Sequence, residues 1–240
     1  MPFIPNTEAD RAAMLAAIGA KSVDELFADI PAGKRFPGLG LPKGLSEMEV
    51  MREIESLAAK NVASSACAWF LGAGAYNHFI PATVGALASR GEFLSAYTPY
   101  QPEVAQGTLQ AIFEYQSMAT ELFGMDAVNA SHYDGATALA EAVLMAYNAG
   151  GDRHRIAIPA ALHPEYKAVL RTYFAAFPVE FAEYSGEPAA AAARLDDATC
   201  AFVASYPDFE GRIHDLSGVA DAVHARNALF IVHADPIMLA

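Results

Sequence analysis

The sequence predicts an α/β protein with a parallel sheet, preceded by a helical arm, and three observations predict it. Four short apolar runs, "RIAIP" at 155–159, "VEFAE" at 179–183, "CAFVAS" at 200–205 and "ALFIVHAD" at 228–235, are separated by helical stretches. The runs are nearly continuous in apolar residues, as in strands covered on both faces, and crossovers through helices make such strands parallel. The first sixty residues hold helix signals and a Pro/Gly-rich connection but no run of this kind. The expected organisation is a helical arm over residues 1–65 and a sheet domain over 66–240.

Taken in order, Thr7 can cap "EADRAAMLAAI" ahead of Gly19. The segment "SEMEVMREIESLAAK" opens with Ser46 and Glu49 at capping-box spacing, and Val50, Ile54 and Leu57 then share one helical face. Between these helices "PAGKRFPGLGLPKG" is too rich in Pro and Gly for regular structure. In "YTPYQPEVAQGTLQAIFEYQ", residues 97–116, Pro102 suits a first helical turn and Glu103 its positive end, so a helix is expected from near Gln101. The run of alanines at 189–193 predicts a helix with a small-residue face. The chain stops one turn past an apparent central strand, which reads as a fragment of a longer sheet.

Composition restricts the function. Hydrophobic residues make up 54% and include 14 phenylalanines, yet no stretch reaches the roughly 18 uninterrupted apolar residues of a membrane span. The opening "MPFIPNTEADRAAM" has acids where a secretory signal needs basic and then apolar residues, so the cytoplasm is the expected location. Cys67 and Cys200 lie far apart and outside any CxxC spacing, so both are expected as buried thiols rather than as a disulfide or zinc ligands. The formal charge of −13 disfavours nucleic acid and anionic membranes, and leaves a small molecule or another protein as the expected partner.

Several stretches have the residue types for chemistry. Pro99 stiffens "YTPY", which presents Tyr97, Thr98, Tyr100 and Gln101 at a helix start, either as a pocket wall or as packed rings with hydroxyls at the surface. In "NASHYDGATALAEA", residues 129–142, Ser131, Asp134, Gly135 and Thr137 lead into a helix of small residues. An anion could sit there, and Asp134 is equally suited to capping that helix, the commoner role. Asp235 closes a parallel strand at its carboxyl end, where α/β proteins place ligands, and would serve either a cationic ring nitrogen or a loop cap before Pro236. "GAGAYNHF" at 72–79 has Asn77 where GxGxxG needs its third glycine, and "AGKRF" has Ala28 where a P-loop needs its first. The seven histidines show no HExxH or other ligand spacing, so no metal site is expected, and no GxSxG elbow occurs.

Three longer stretches, "FLGAGAYNHFIPATV", "YTPYQPEVAQGTLQAIFEYQ" and "NASHYDGATALAEAVLMA", in this order and behind the leader "LFADIPAGKRF…LGLPKGLSEMEV", closely resemble the N-terminal half of the glycine cleavage system P-protein family. Within it they are most similar to the α chain, subunit 1, of the bacterial two-chain form. The resemblance implies a fold type I, aminotransferase-like large domain, here incomplete. The activity it implies is a glycine dehydrogenase that decarboxylates glycine and passes the aminomethyl group to the lipoyl arm of H-protein. The cofactor it implies is pyridoxal 5′-phosphate, whose ring takes up the electrons released as carbon dioxide leaves. None of the lysines, Lys21, Lys34, Lys43, Lys60 and Lys167, follows the strand of Asp235, where this fold places its Schiff-base lysine. By the resemblance that lysine and most cofactor contacts belong to subunit 2, the β chain. Tyr97, Thr98, Tyr100 and Gln101, with Asn77 and His78, are then expected to line the glycine and cofactor pocket, with Ser131, Asp134, Thr137 and Asp235 as a degenerate cofactor site. Two other readings stand beside this one: a self-sufficient pyridoxal-phosphate aminotransferase or decarboxylase with its lysine beyond residue 240, and a non-catalytic scaffold subunit.

Overall fold

The computed structural model describes residues 5–35, 37–94 and 98–239. They divide into two units, Met1–Cys67 and Ala68–Ala240.

In the first unit local signals decide the structure. Helix α1 spans Glu8–Ile18; the Thr7 hydroxyl accepts from the Asp10 N–H, the Asp10 carboxylate accepts from the Thr7 N–H at 2.8 Å, and Gly19 closes the helix at φ 74°. Helix α2 spans Glu47–Ala58 and opens with the reciprocal Ser46–Glu49 box, the Glu49 carboxylate accepting from the Ser46 N–H at 2.8 Å. Short 3-10 turns occupy Val23–Phe27, Ala32–Lys34 and Ser64–Ala66. No described side chain of this unit is buried, and Val50, Ile54 and Leu57 are exposed despite their shared helical face. Cys67, expected inside, is exposed as well, because none of the described residues of this unit encloses it.

The second unit contains the core. Helices α3 (Ala82–Ala88), α4 (Gly91–Leu94) and α5 (Gln106–Phe123) precede the sheet. Helix α5 starts later than Pro102 and Glu103 imply. The Ala105 N–H donates to the Gln101 carbonyl at 2.9 Å and closes one isolated turn, after which Ala105 leaves helical geometry at φ −96°, ψ 17° and offers no side-chain cap.

The remainder alternates helix and strand: α6 (Gly135–Ala149), β1 (Arg155–Pro159), α7 (Pro164–Tyr173), β2 (Glu180–Tyr184), α8 (Pro188–Ala192), β3 (Thr199–Tyr206), α9 (Val219–His224), β4 (Leu229–Ala234) and a 3-10 turn at Pro236–Leu239. The four strands form one sheet in the order β2-β1-β3-β4, every pair parallel. Side chains alternate between two cores. Ile156, Ile158, Ala201 and Val203 pack with Leu139, Val143 and Ala146 of α6 and Leu170 of α7, while Ala157, Phe202 and Ala204 pack with Ala191 and Ala192 of α8 and Val219 and Val223 of α9. The small residues of α6 and α8 let both helices lie close on the sheet.

The amino edge of the sheet is tied together by Arg153, which donates to the carbonyls of Gly150 at 3.1 Å, Thr199 at 3.3 Å and Asn227 at 2.6 Å. Gly150, where α6 turns into β1, has no room for a side chain: a Cβ there would lie 2.6 Å from Cβ of Cys200 and 3.2 Å from the carbonyl oxygens of Arg153 and Tyr147. Backbone and a buried Cβ cannot yield as a flexible side-chain tip would. Gly150→Ala is therefore expected to lower stability by ~1–3 kcal/mol, as overpacking of a close-packed core does, measured as a reduced urea midpoint at unchanged slope.

Candidate functional site

The strands of a parallel sheet all end on one edge, and the loops beyond them enclose a cavity of about 270 Å³. Ser205, Tyr206 and Pro207 come from the end of β3, His233, Ala234 and Asp235 from the end of β4, and His163 and Tyr166 from the loop after β1 and the start of α7. Asp208 and Phe209 close one side, Gly135 and the turn Ala73–Tyr76 another. Register sets Ser205 beside His233 on adjacent strands. Strand alternation turns both toward the face on which Val203 and Ile231 meet α6.

Aromatic contacts shape this wall. The rings of His163 and Tyr166 stack at 5.1 Å, Phe209 meets His163 edge-on at 4.7 Å, and His233 meets Tyr166 edge-on at 4.8 Å. His163 Nδ1 accepts from the Glu165 N–H at 3.1 Å and thereby also caps α7. Burial, helped by the neighbouring His163, pushes the His233 imidazole below its ordinary value and keeps it neutral; burial, with Asp134 nearby, pushes the Tyr166 phenol upward. Neither the Ser205 Oγ nor the His233 Nδ1, both buried, has a hydrogen-bond partner among the described residues.

Asp208 fixes the loop beneath the cavity and separates it from a second one of about 170 Å³. Its carboxylate accepts from the N–H groups of Glu210 and Arg212, each at 2.9 Å, from Arg212 Nε at 3.2 Å and from His214 Nε2 at 3.0 Å, while His214 Nδ1 meets Glu187 at 3.1 Å. Burial opposes charge on both Asp208 and His214, but the hydrogen bonds outweigh it, holding the Asp208 carboxyl low and the His214 imidazole high.

The residues singled out from sequence divide. Asp235 lines the cavity, and its Oδ1 also accepts from the Ile237 N–H at 2.9 Å, so it caps the terminal turn. Asp134 caps α6: its Oδ1 accepts from the Thr137 N–H at 2.8 Å and from the Thr137 hydroxyl at 2.9 Å. Ser131 sits exposed in the loop before it. Asn77 and His78 come directly after the lining residue Tyr76 but are exposed to solvent, and Thr98, Tyr100 and Gln101 are exposed and stand apart from the cavity lining. Tyr97 lies outside the described residues. Ser205, His163, Tyr166 and His233 were not among the sequence candidates. The strand-end rule that selected Asp235 applies to the ends of β1 and β3 too, but the register and the crossover that bring these residues together leave no local signal.

An open parallel sheet covered on both faces, with a cavity off its carboxyl edge, defines an α/β class, and the solved structures it resembles make it a partial large domain of the fold type I kind. A sphingosine-1-phosphate lyase from Burkholderia pseudomallei has this fold, with a TM-score of 0.57 at 17% identity over 85% of the chain and 51% of the lyase. The family model of the glycine cleavage system P-protein matches residues 1–240, and the chain belongs to that family. Its relatives include proteins named "Probable glycine dehydrogenase (decarboxylating) subunit 1" from Thermomicrobium roseum, 49% identical, and Chloroherpeton thalassium, 46% identical. The match covers 100% of this chain and 55% of each relative, so the chain spans about half the length of the curated relatives it matches. A crystal structure of glycine decarboxylase (P-protein) in inhibitor-bound form superposes with a TM-score of 0.82 at 43% identity, covering 100% of this chain and 54% of that one.

The fold implies pyridoxal 5′-phosphate, and this chain, which spans about half the length of its relatives, does not by itself supply a full set of groups to hold it. Among the described residues, no lysine or arginine lines the cavity. Lys167, on the neighbouring helix α7, gives its ammonium to the Ala160 carbonyl at 2.7 Å and to Glu183 at 2.8 Å. The start of α6, where a phosphate would meet free N–H groups, is filled by the chain's own Asp134 carboxylate, held ionised by the Thr137 N–H and hydroxyl. Tyr166 also covers this end: its hydroxyl lies 2.6 Å from where a Cβ on Gly135 would be.

Two outcomes are expected. Incubating this chain with pyridoxal 5′-phosphate and then borohydride should leave no stoichiometric mass increment on any one lysine, checked by peptide mass spectrometry. His214→Ala is expected to cost ~1–3 kcal/mol, the range for buried charged hydrogen bonds. A raised imidazole pKa contributes stability that is lost as pH rises, and a lowered carboxyl pKa contributes stability that is lost as pH falls. The difference between wild type and variant in urea unfolding should thus be widest between the ordinary values of 3.8 and 6.5 for the two groups.

Proposed function

We propose that this chain serves as the α subunit of a glycine dehydrogenase of the glycine cleavage system, acting with a homologous β subunit that supplies the lysine and binds pyridoxal 5′-phosphate. The observation that carries this reading is the match of the whole chain, at 46–49% identity, to relatives named "Probable glycine dehydrogenase (decarboxylating) subunit 1". The reaction is decarboxylation of glycine with transfer of the aminomethyl group to lipoyl H-protein.

The role of this chain is to complete the pocket of its partner. Tyr97, Thr98, Tyr100 and Gln101, with Asn77 and His78, line the partner's glycine site, binding the substrate and excluding water. Two features support this. Tyr100 is 83% exposed in a loop that Pro99 stiffens, and it has no role in its own chain's cavity. Helix α5 exposes Tyr115, Met118 and Leu122 along one stripe at helical spacing, an apolar surface suited to burial against another subunit.

The test is exchange of labelled bicarbonate into glycine in the presence of lipoylated H-protein, with this chain and its subunit 2 partner alone and together. Exchange is expected only from the combination. Tyr100→Ala and Gln101→Ala are expected to lower kcat/KM for glycine by roughly 10–100-fold, with association of the two chains unchanged by analytical ultracentrifugation. Unaltered exchange in both variants would mean that the chain acts only as a scaffold.

A further inference from the structure

We propose that His214 is the bolt of a pH-sensitive latch between the loop after β3 and the start of α8, closed while both ring nitrogens hold protons and open once one is lost. The latch lies apart from the Tyr100 loop and does not depend on a partner chain, so either reading can fail without the other.

The geometry demands two donors from one ring. His214 Nε2 lies 3.0 Å from Asp208 Oδ2, and His214 Nδ1 lies 3.1 Å from Glu187 Oε2. Both partners are carboxylates, which only accept, and a neutral imidazole donates from one nitrogen alone. The closed arrangement therefore requires the imidazolium. The groups around the ring agree with this. Arg212 is bound to Asp208 and to Glu210, Asp215 turns its own Oδ1 to the Ser217 N–H, and Tyr184, at the end of β2, is kept neutral by burial. That leaves Asp208 and Glu187 as the charges that face the ring directly. Burial of the ring opposes its charge, but the hydrogen bonds and charges of these two acids outweigh it and place its titration above the ordinary 6.5.

The two carboxylates differ in what they lose when the ring becomes neutral. Asp208, 3% exposed, cannot turn to water, so the remaining proton stays on Nε2. Glu187, 69% exposed, then faces a lone pair and swings into solvent at little cost. Asp208 keeps the N–H groups of Glu210 and Arg212 and the Arg212 Nε, so the loop holds its own shape. What parts is the loop from α8. Among the described residues the His214–Glu187 contact is the one hydrogen bond joining residues 186–188 to residues 207–214. Between these segments lies the cavity of about 170 Å³, with Gly186 and Pro188 on one side and Asp208, Arg212 and His214 on the other. Because a raised imidazole value keeps the proton through 6.5, the latch stays closed there and opens only as pH rises further.

The test follows the ring and the helix together, by long-range imidazole spectra and amide hydrogen exchange on this chain between about pH 5 and 9. His214 is expected to titrate above 6.5 and to keep its last proton on Nε2. The Ala191 amide, which donates to the Glu187 carbonyl at 3.2 Å, is expected to lose protection severalfold at the same midpoint, after correction for intrinsic exchange. Glu187→Gln removes the charge but leaves an amide able to accept from the charged ring or donate to the neutral one. It is expected to lower the His214 midpoint by about half a pH unit and to abolish the step in Ala191 protection. A midpoint at or below 6.5, a midpoint unmoved in Glu187→Gln, or wild-type Ala191 protection that ignores the ring titration would each overturn the proposal. Should the variant fail to fold, the ring titration and Ala191 protection of the wild-type chain decide.

Discussion

The sheet unit depends on the burial of β3. From Thr199 to Ser205 every residue of this strand is buried, and it is paired in parallel on both sides, to β1 and to β4. A strand in that position must be apolar on both faces, and each face needs its own helical layer. That requirement sets α6 and α7 on one side and α8 and α9 on the other, and it calls for the small residues where α6 and α8 approach. It also dictates where chemistry can occur. At the carboxyl end the apolar run gives way to polar residues, Ser205 and Asp208 after β3 and, next door on β4, His233 and Asp235. The cavity is a direct outcome of ending two paired strands in register.

How much of this was legible in the sequence depended on whether the deciding interaction was local. The strands could be read because each is a short, mostly apolar run set between helical stretches; "RIAIP" matches β1 residue for residue, and the other three runs fall within a residue or so of their strands. Helix starts were legible where a side chain makes the cap, at Thr7, Ser46 and Asp134, and misread at α5, where Ala105 contributes no cap and an isolated turn precedes the helix. Burial in the first unit was not legible at all. The face of Val50, Ile54 and Leu57 has the right spacing, but spacing gives a face to cover and not the partner that covers it. In the cavity, Asp235 could be found because it closes a strand and is charged. Ser205 and His233 become neighbours only through the β3–β4 register, and His163 and Tyr166 reach them only through the crossover between β1 and α7. Both are long-range facts.

The cations near the sheet are placed to hold the fold. Arg153 gathers carbonyls at the amino edge of the sheet. Arg155 is paired with Glu180 and Asp196, and Lys167 and Arg171 with Glu183, along the β2 side. Arg212 and His214 are taken up by Asp208. These positive groups near the sheet are thus committed to holding the fold. The chain has 15 Lys and Arg against 28 Asp and Glu, and among the described residues none of the 15 is placed at the cavity on the carboxyl edge.

Helix α6 shows how a helix start can be satisfied from within the chain. An Asp at its N-cap satisfies the Thr137 N–H internally and is stabilised there by the helix dipole, so the helix gains in stability from the same carboxylate that denies its end to an external anion. The two effects cannot be separated at this position, because both require the ionised oxygen at the helix terminus. A capped helix and a tyrosine laid over Gly135 act in one direction, closing the start of α6. They leave the packing of the sheet and its helices in place.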